Sequence, residues 1–120
     1  MQVGIDVGAT KIETVLLEQD GQERFRSRIS CPKNYTQIIT SIKDIHKKLE
    51  QEFKQDLPIG VCHPGVHSPQ TGLVKNVPNI SWLEKKPFQN DLRKALGKEV
   101  FCENDANCFA LSESIDGSGK

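Results

Sequence analysis

Two segments of this chain carry side chains whose types and spacing can do chemistry. Gly4-Ile5-Asp6-Val7-Gly8-Ala9-Thr10-Lys11 sets small residues beside a hydroxyl, backbone amides and a cation. Small residues let a backbone come close to a polyphosphate, whose charge the amides and the lysine then meet. Near the other end, Asn104-Asp105-Ala106-Asn107 offers a carboxylate flanked by amides, after the apolar run Val100-Phe101-Cys102. A carboxylate within hydrogen-bond reach of a hydroxyl can take its proton while its neighbours fix the alcohol around it. A phosphate cradle and a base for an alcohol together suggest phosphoryl transfer.

Each segment also has a plainer explanation. Asp6-x-Gly8 can be an ordinary hairpin whose aspartate caps the turn, and an Asp or Asn just before a helix is most often an N-cap. Two considerations favour the chemical reading. Asp6 is expected at the end of a buried strand, where a carboxylate is costly unless a cation or donors meet it, and a magnesium ion held through water would do so. One cap suffices for a helix, whereas residues 104 to 107 supply three polar side chains. His63, beside Pro64-Gly65, reads as a structural or contact residue; His46 and His67 have weaker claims, and Trp82 reads as a core or lid aromatic.

The elements that must position these residues follow from pattern. Val3 to Asp6, Ile12 to Leu17 and Arg24 to Ile29 read as three strands, with turn chemistry at Gln19-Asp20-Gly21-Gln22. Their short connections make them antiparallel neighbours. Ile38, Ile42, Ile45, Leu49 and Phe53 give one apolar stripe on a helix from Tyr35 to Gln55, N-capped by Asn34 or Thr36. Lys43, Lys47, Lys48, Glu50 and Glu52 are expected on its solvated face. Pro58 to Cys62 is a short buried strand running into the His63-Pro64-Gly65 turn, Ser68 to Gly72 is a further turn, and Leu73-Val74 a short strand. Asn76 to Lys86 reads as an irregular loop, Pro87 opens a helix ending at Gly97, Val100 to Cys102 is the last strand, and Ala106 to Ser114 a helix. Helices between the later strands favour a parallel extension of the antiparallel opening, with ligands outside the strand ends.

The chain of 120 residues is one domain by length, yet short for an enzyme with two substrates. Sixteen basic residues balance sixteen acidic ones, which argues against a non-specific nucleic-acid or membrane-surface binder. There is no apolar run of the roughly 20 residues a membrane span needs and no signal-peptide pattern, so a soluble, cytoplasmic protein is expected. Cys31, Cys62, Cys102 and Cys108 lack C-x-x-C spacing and are expected as reduced thiols rather than a zinc site.

With these segments assembled, the chain resembles the sugar kinases of the ROK family (repressors, open reading frames, kinases), within the actin and hexokinase superfamily. The landmarks are Gly4 through Ile12, Gly60 through Gly65, Thr71-Gly72, Pro78-Asn79, the Leu96-Gly97 helix end and Asn104 through Glu113. They span essentially the whole chain, and the last is the most specific. The stretch Ser68 to Asn76 and Trp82-Leu83 look most like bacterial fructokinases, the Asn104 to Glu113 run equally like N-acetylglucosamine kinase; the sequence leans toward the former.

The resemblance implies an α/β fold, an actin-like ATPase (ribonuclease H-like) lobe with a mixed sheet of three antiparallel strands extended by parallel ones, helices packed on it. It implies ATP and magnesium, with Asp105 as base for a hexose hydroxyl. Asn104 and Asn79 would contact sugar hydroxyls and the Gly65 backbone would line the pocket. Gly8, Thr10 and Lys11 would face the ATP phosphates, and Asp6 would organise the magnesium. Two departures from the family pattern involve three positions: a second glycine usually stands where Ala9 is, and a glycine followed by an aliphatic residue where Cys62 and His63 are.

The family's second lobe, with its adenosine segment, its His and Cys zinc motif and further sugar ligands, would lie beyond Lys120. Residues 1–120 are therefore expected to be the N-terminal lobe of a two-lobe kinase, homodimeric when full-length and inactive as a fragment. Two other readings stay open: the body of a sugar-sensing repressor, which would need a helix-turn-helix ahead of Val3, and a nucleotide-binding structural protein of the actin class, which has no use for Asn104-Asp105.

Overall fold

Alternation of apolar and polar residues decides how the sheet faces its core. In the computed structural model, which describes residues 1–75 and 83–104, β1 (Gln2–Val7) buries Val3, Ile5 and Val7, and β2 (Lys11–Leu17) buries Ile12, Thr14 and Leu16. The residues between them point to the opposite face. β1 and β2 pair antiparallel from Gln2↔Leu17 to Val7↔Ile12. β3 (Glu23–Ser30) pairs antiparallel with β2, with an irregularity at Leu16/Leu17.

The helix α1 (Tyr35–Phe53) begins at Asn34, whose side chain accepts from the Gln37 amide at 3.1 Å, and stops at Lys54 in the left-handed region with φ 54°. β4 (Ile59–His63) then joins β1 in parallel. A small hairpin follows, β5 (Val66–His67) with β6 (Val74–Lys75), around the expected Ser68 to Gly72 turn. α2 (Phe88–Leu96) ends at Gly97, whose φ of 70° suits a residue without a Cβ. β7 (Phe101–Asn104) pairs in parallel with β4 and runs two residues further than its apolar run suggests. The main sheet thus has the order β3-β2-β1-β4-β7, the expected antiparallel trio extended by parallel strands.

Both helices cover one face of that sheet. Ile38, Ile42 and Leu49 of α1 and Phe88 and Leu92 of α2 share one buried cluster with Val3, Ile5, Val7, Ile12, Leu16, Ile59, Val61 and Val100. His46 takes a core position on α1 beside the expected isoleucines, because its ring can bond the Leu57 carbonyl at 2.8 Å. Glu50, expected on the solvated face, instead accepts from the Leu57 amide at 2.8 Å and from Lys98 Nζ at 3.0 Å. Lys98 also bonds Asp56 and the Leu57 carbonyl, so one cluster ties the turn after α1 to the lead-in of β7.

Cys31 and Cys102 are free thiols, and burial pushes Cys102 up to about 12. Cys62 takes part in a disulfide, which corrects the expectation that all four thiols are reduced. The Asn76 to Trp82 part of the expected loop, with Asn79, and the segment from Asp105 onward, with the expected Ala106 to Ser114 helix, lie outside the described residues.

Candidate active site at the strand ends

Parallel strands that are neighbours in register must end together, and here three do. Asp6 of β1 stands beside Cys62 of β4, and Cys62 beside Glu103 of β7. One position later β1 reaches Val7, β4 reaches His63 and β7 reaches Asn104, with His63 paired to Asn104. The candidate phosphate turn, the Pro64-Gly65 turn and Asn104 therefore leave one end of the sheet side by side. With strands about 4.8 Å apart, β1 and β7 are separated there by about 10 Å.

The turn from Gly8 to Lys11 is closed by a backbone bond from the Gly8 amide to the Lys11 carbonyl, 2.8 Å. A Cβ on Gly8 would lie 3.2 Å from that carbonyl, so the tight turn itself favours glycine. Ala9 does not belong to the residues with positive φ, hence its Cβ is compatible with the turn that a second glycine would otherwise occupy. Thr10 and Lys11 are exposed at the tip, and the Thr10 carbonyl is anchored by the Cys31 amide at 2.9 Å.

Asp6 is exposed, which corrects the expectation of a buried carboxylate. The strand is buried only through Val3, Ile5 and Val7, and alternation turns Asp6 to the other face. There it stands opposite Glu13. Two carboxylates in directly opposed positions repel, but Arg26 and Arg28 both bond Glu13 from β3. The hydrogen bond from Arg28 and the charge of Arg26 hold the Glu13 carboxyl below the usual carboxylate range. Sequence reading overlooked Glu13; the matching alternation of Arg26 and Arg28 with it was the available signal.

Among the described residues no group of three His, Cys, Asp or Glu side chains could cage a metal ion. What this strand end offers is single carboxylates, Asp6 and Glu103, with Cys62 between them. That donor set fits magnesium, which keeps most of its water and is held through one or two carboxylates together with substrate phosphates.

Gly65 is buried with φ 77°, a conformation that favours glycine, directly after the end of β4. His63 is fully buried; its Nδ1 lies 2.9 Å from the Pro64 carbonyl, and its ring meets Phe88 edge-on with centroids 5.5 Å apart. Burial pushes its imidazole below the ordinary value, against the smaller opposite effects of the Pro64 carbonyl and Glu103. Phe88 in turn packs against Tyr35, whose hydroxyl donates to Asp91 Oδ2 at 2.6 Å. The stems of the segment that carries Asn79 are tied at their base, Val74 N to Lys86 O at 2.9 Å and Lys85 N to Val74 O at 2.6 Å.

Of the residues singled out from sequence, Asp6, Gly8, Thr10, Lys11, Gly65 and the backbone of Asn104 are brought to one end of the sheet. Asn79 and Asp105 fall outside the described residues.

Known proteins share this arrangement. The N-acetyl-D-glucosamine kinase of Haemophilus influenzae (strain 86-028NP) is 38% identical over 117 residues, covering 97% of this chain and 38% of that protein. The chain therefore spans well under half the length of that relative. Among solved structures, a ROK family glucokinase from Streptomyces griseus in complex with glucose and AMPPNP has a TM-score of 0.82 at 25% identity, covering 99% of this chain and 38% of that one. The ROK hexokinase from Thermus thermophilus has a TM-score of 0.79 at 29% identity, covering 93% and 37%. A ROK family transcriptional regulator, homologous to the MLC protein of E. coli, shares the fold with a TM-score of 0.73 at 19% identity, covering 95% and 30%. The lobe is thus of the actin-like ATPase kind expected from the sequence. With the ROK model matched from residue 2 to residue 120, the chain belongs to the ROK family.

Proposed function

We propose that residues 1–120 form the N-terminal lobe of an ATP-dependent hexose kinase, one that moves the γ-phosphoryl of ATP to a sugar 6-hydroxyl. The observation that carries this reading is the shared register of Asp6, Cys62 and Glu103. It brings the Gly8 to Lys11 turn, Gly65 and the backbone of Asn104 to one strand end, about 10 Å across, and so supports a reading in which a bound phosphoryl group and an alcohol meet there.

In this scheme the Gly8 to Lys11 turn and Thr10 hold the phosphates, and Lys11 offsets their charge. Gly65, Asn79 and Asn104 hold the sugar, and Asp105 takes the hydroxyl proton as phosphoryl transfer proceeds in line. Asp6 would hold magnesium through water; the ion would neutralise charge on the transferring group. N-acetylglucosamine is the preferred candidate sugar. The relative's name supports it, whereas the fructose preference read from Ser68 to Asn76 finds no such support. The repressor alternative rests on likeness of fold alone.

The test is Asp105→Asn in the full-length parent protein. Turnover should fall by about 10² to 10⁴ through loss of the base, with substrate binding less affected. Turnover near wild type would remove Asp105 from the base role. A coupled ADP-release assay with N-acetylglucosamine, glucose, mannose and fructose reads the sugar preference in the same preparation.

A further inference from the structure

We propose that His63 is a positioning residue for the sugar: its ring clamps the Pro64–Gly65 peptide and so fixes the direction of the Gly65 backbone. The inference rests on the hexose-kinase reading above and assigns a role to the residue standing where the family usually has an aliphatic side chain.

The Pro64 carbonyl can only accept, so the bond at 2.9 Å requires the proton on His63 Nδ1. The peptide that carries this carbonyl is trans, no cis bond being present among the described residues. In a trans peptide the C=O and the following N–H point in opposite directions. Holding the Pro64 oxygen therefore also aims the Gly65 N–H away from the imidazole. Gly65, with φ 77°, has more backbone freedom than any other residue would have, and a turn built on it has most to gain from a clamp.

The clamp is itself held. His63 is fully buried at the end of β4, its backbone paired to Asn104 and its ring set edge-on against Phe88. Phe88 is completely buried and rests against Tyr35, which the Asp91 bond fixes to α2. An aliphatic residue at 63 could fill the same space against Phe88 but would remove the donor that holds the Pro64 carbonyl. The sequence of supports runs from α1 through α2 to the glycine that lines the pocket.

The test compares His63→Leu and His63→Asn with wild type in the full-length parent. Leucine keeps apolar bulk against Phe88 and removes the donor; asparagine places an amide nitrogen where Nδ1 lies without the ring. His63→Leu should raise the KM for the hexose by about 5- to 10-fold, the worth of one hydrogen bond, while the KM for ATP stays unchanged. His63→Asn should return the hexose KM close to wild type even though it packs less well. A purely structural histidine would show neither the split between the two KM values nor the rescue.

An unchanged hexose KM in His63→Leu, a parallel rise in both KM values, or a defect that His63→Asn does not relieve overturns the proposal. Should the leucine variant fail to fold, His63→Met, which likewise lacks the donor, takes its place beside His63→Asn with the same outcomes. A wild-type parent that phosphorylates no hexose overturns the kinase reading and this role with it. An active wild type with an indifferent His63→Leu overturns the role of His63 only.

Discussion

At the scale of single residues, two buried polar groups on the core face of the sheet lead to opposite expectations. Thr14 Oγ1 is buried with no hydrogen-bond partner, on the face of β2 that also buries Ile12 and Leu16. Its hydroxyl lost water on folding and gained nothing, so Thr14→Val should stabilise the chain by about 1 kcal/mol, seen as a higher urea midpoint with an unchanged slope. A lower midpoint would show that the hydroxyl is needed. His63 instead ties stability to pH. Burial lowers its pKa below the ordinary 6.5, the charge of Glu103 opposing this only in part. Below 6.5 the unfolded chain then binds more protons than the folded one, so stability is complete above that value and falls as pH drops toward the folded pKa. The melting temperature should decline as pH falls from 6.5 toward the carboxylate range, and His63→Leu should flatten that decline. Glu13, Glu23 and Asp56, held down by their arginine and lysine partners, act only below their ordinary values of 4.5 and 3.8, outside this window.

At the scale of elements, the connection from α1 to β4 decides where β4 ends and therefore where Gly65 stands. Glu50 joins the Leu57 amide, Lys98 and, at 3.5 Å, His46 in that connection. Glu50→Ala removes the acceptor of the Leu57 amide and one partner of Lys98, and should cost about 2 kcal/mol in a denaturant titration of the chain. A loss below about 0.5 kcal/mol would mean that water replaces the carboxylate without penalty. Reading this element from sequence succeeded for the helix, because the Ile38-Ile42-Leu49 stripe and the Asn34 cap are local features. It failed for Glu50 and His46, since their partners, Leu57 and Lys98, are set by where the chain returns. The Ser68 to Gly72 turn teaches a similar lesson. Ser68 Oγ accepts from the Gln70 and Thr71 amides, Thr71 Oγ1 accepts from the Leu73 amide, and Gly72 has φ 72°. Residues selected to make a turn carry little information about which hexose a pocket prefers, which is why the fructose lean drawn from them had no physical footing.

At the scale of the whole molecule, the chain covers 38% of the length of the Haemophilus relative; in the kinase reading proposed above it forms one side of a cleft, and one side cannot hold two reactants in line. Residues 1–120 should therefore melt cooperatively, yet release no ADP in response to hexose; robust sugar-dependent turnover by this chain would show that the site is complete within it. Much of its architecture was legible in advance. Strand alternation, one helical stripe, the Asn34 and Gly97 helix ends and the short opening turns are properties of neighbouring residues, so among the described residues the sequence by itself determined the elements, their order and the antiparallel trio. It also marked Gly8, Lys11, Gly65 and Asn104 as residues of chemical interest. Register, facing and exposure depend on residues far apart in the chain, and only the tertiary structure decided them. It placed Asp6 on the open face rather than in the core, joined Glu13 to Arg26 and Arg28, drew Glu50 into a partly buried cluster, and locked His63 onto the peptide ahead of Gly65. The physical reason is that a side chain's local pattern settles which face of its own strand it takes, whereas its partners are settled by which strands pair and where they end.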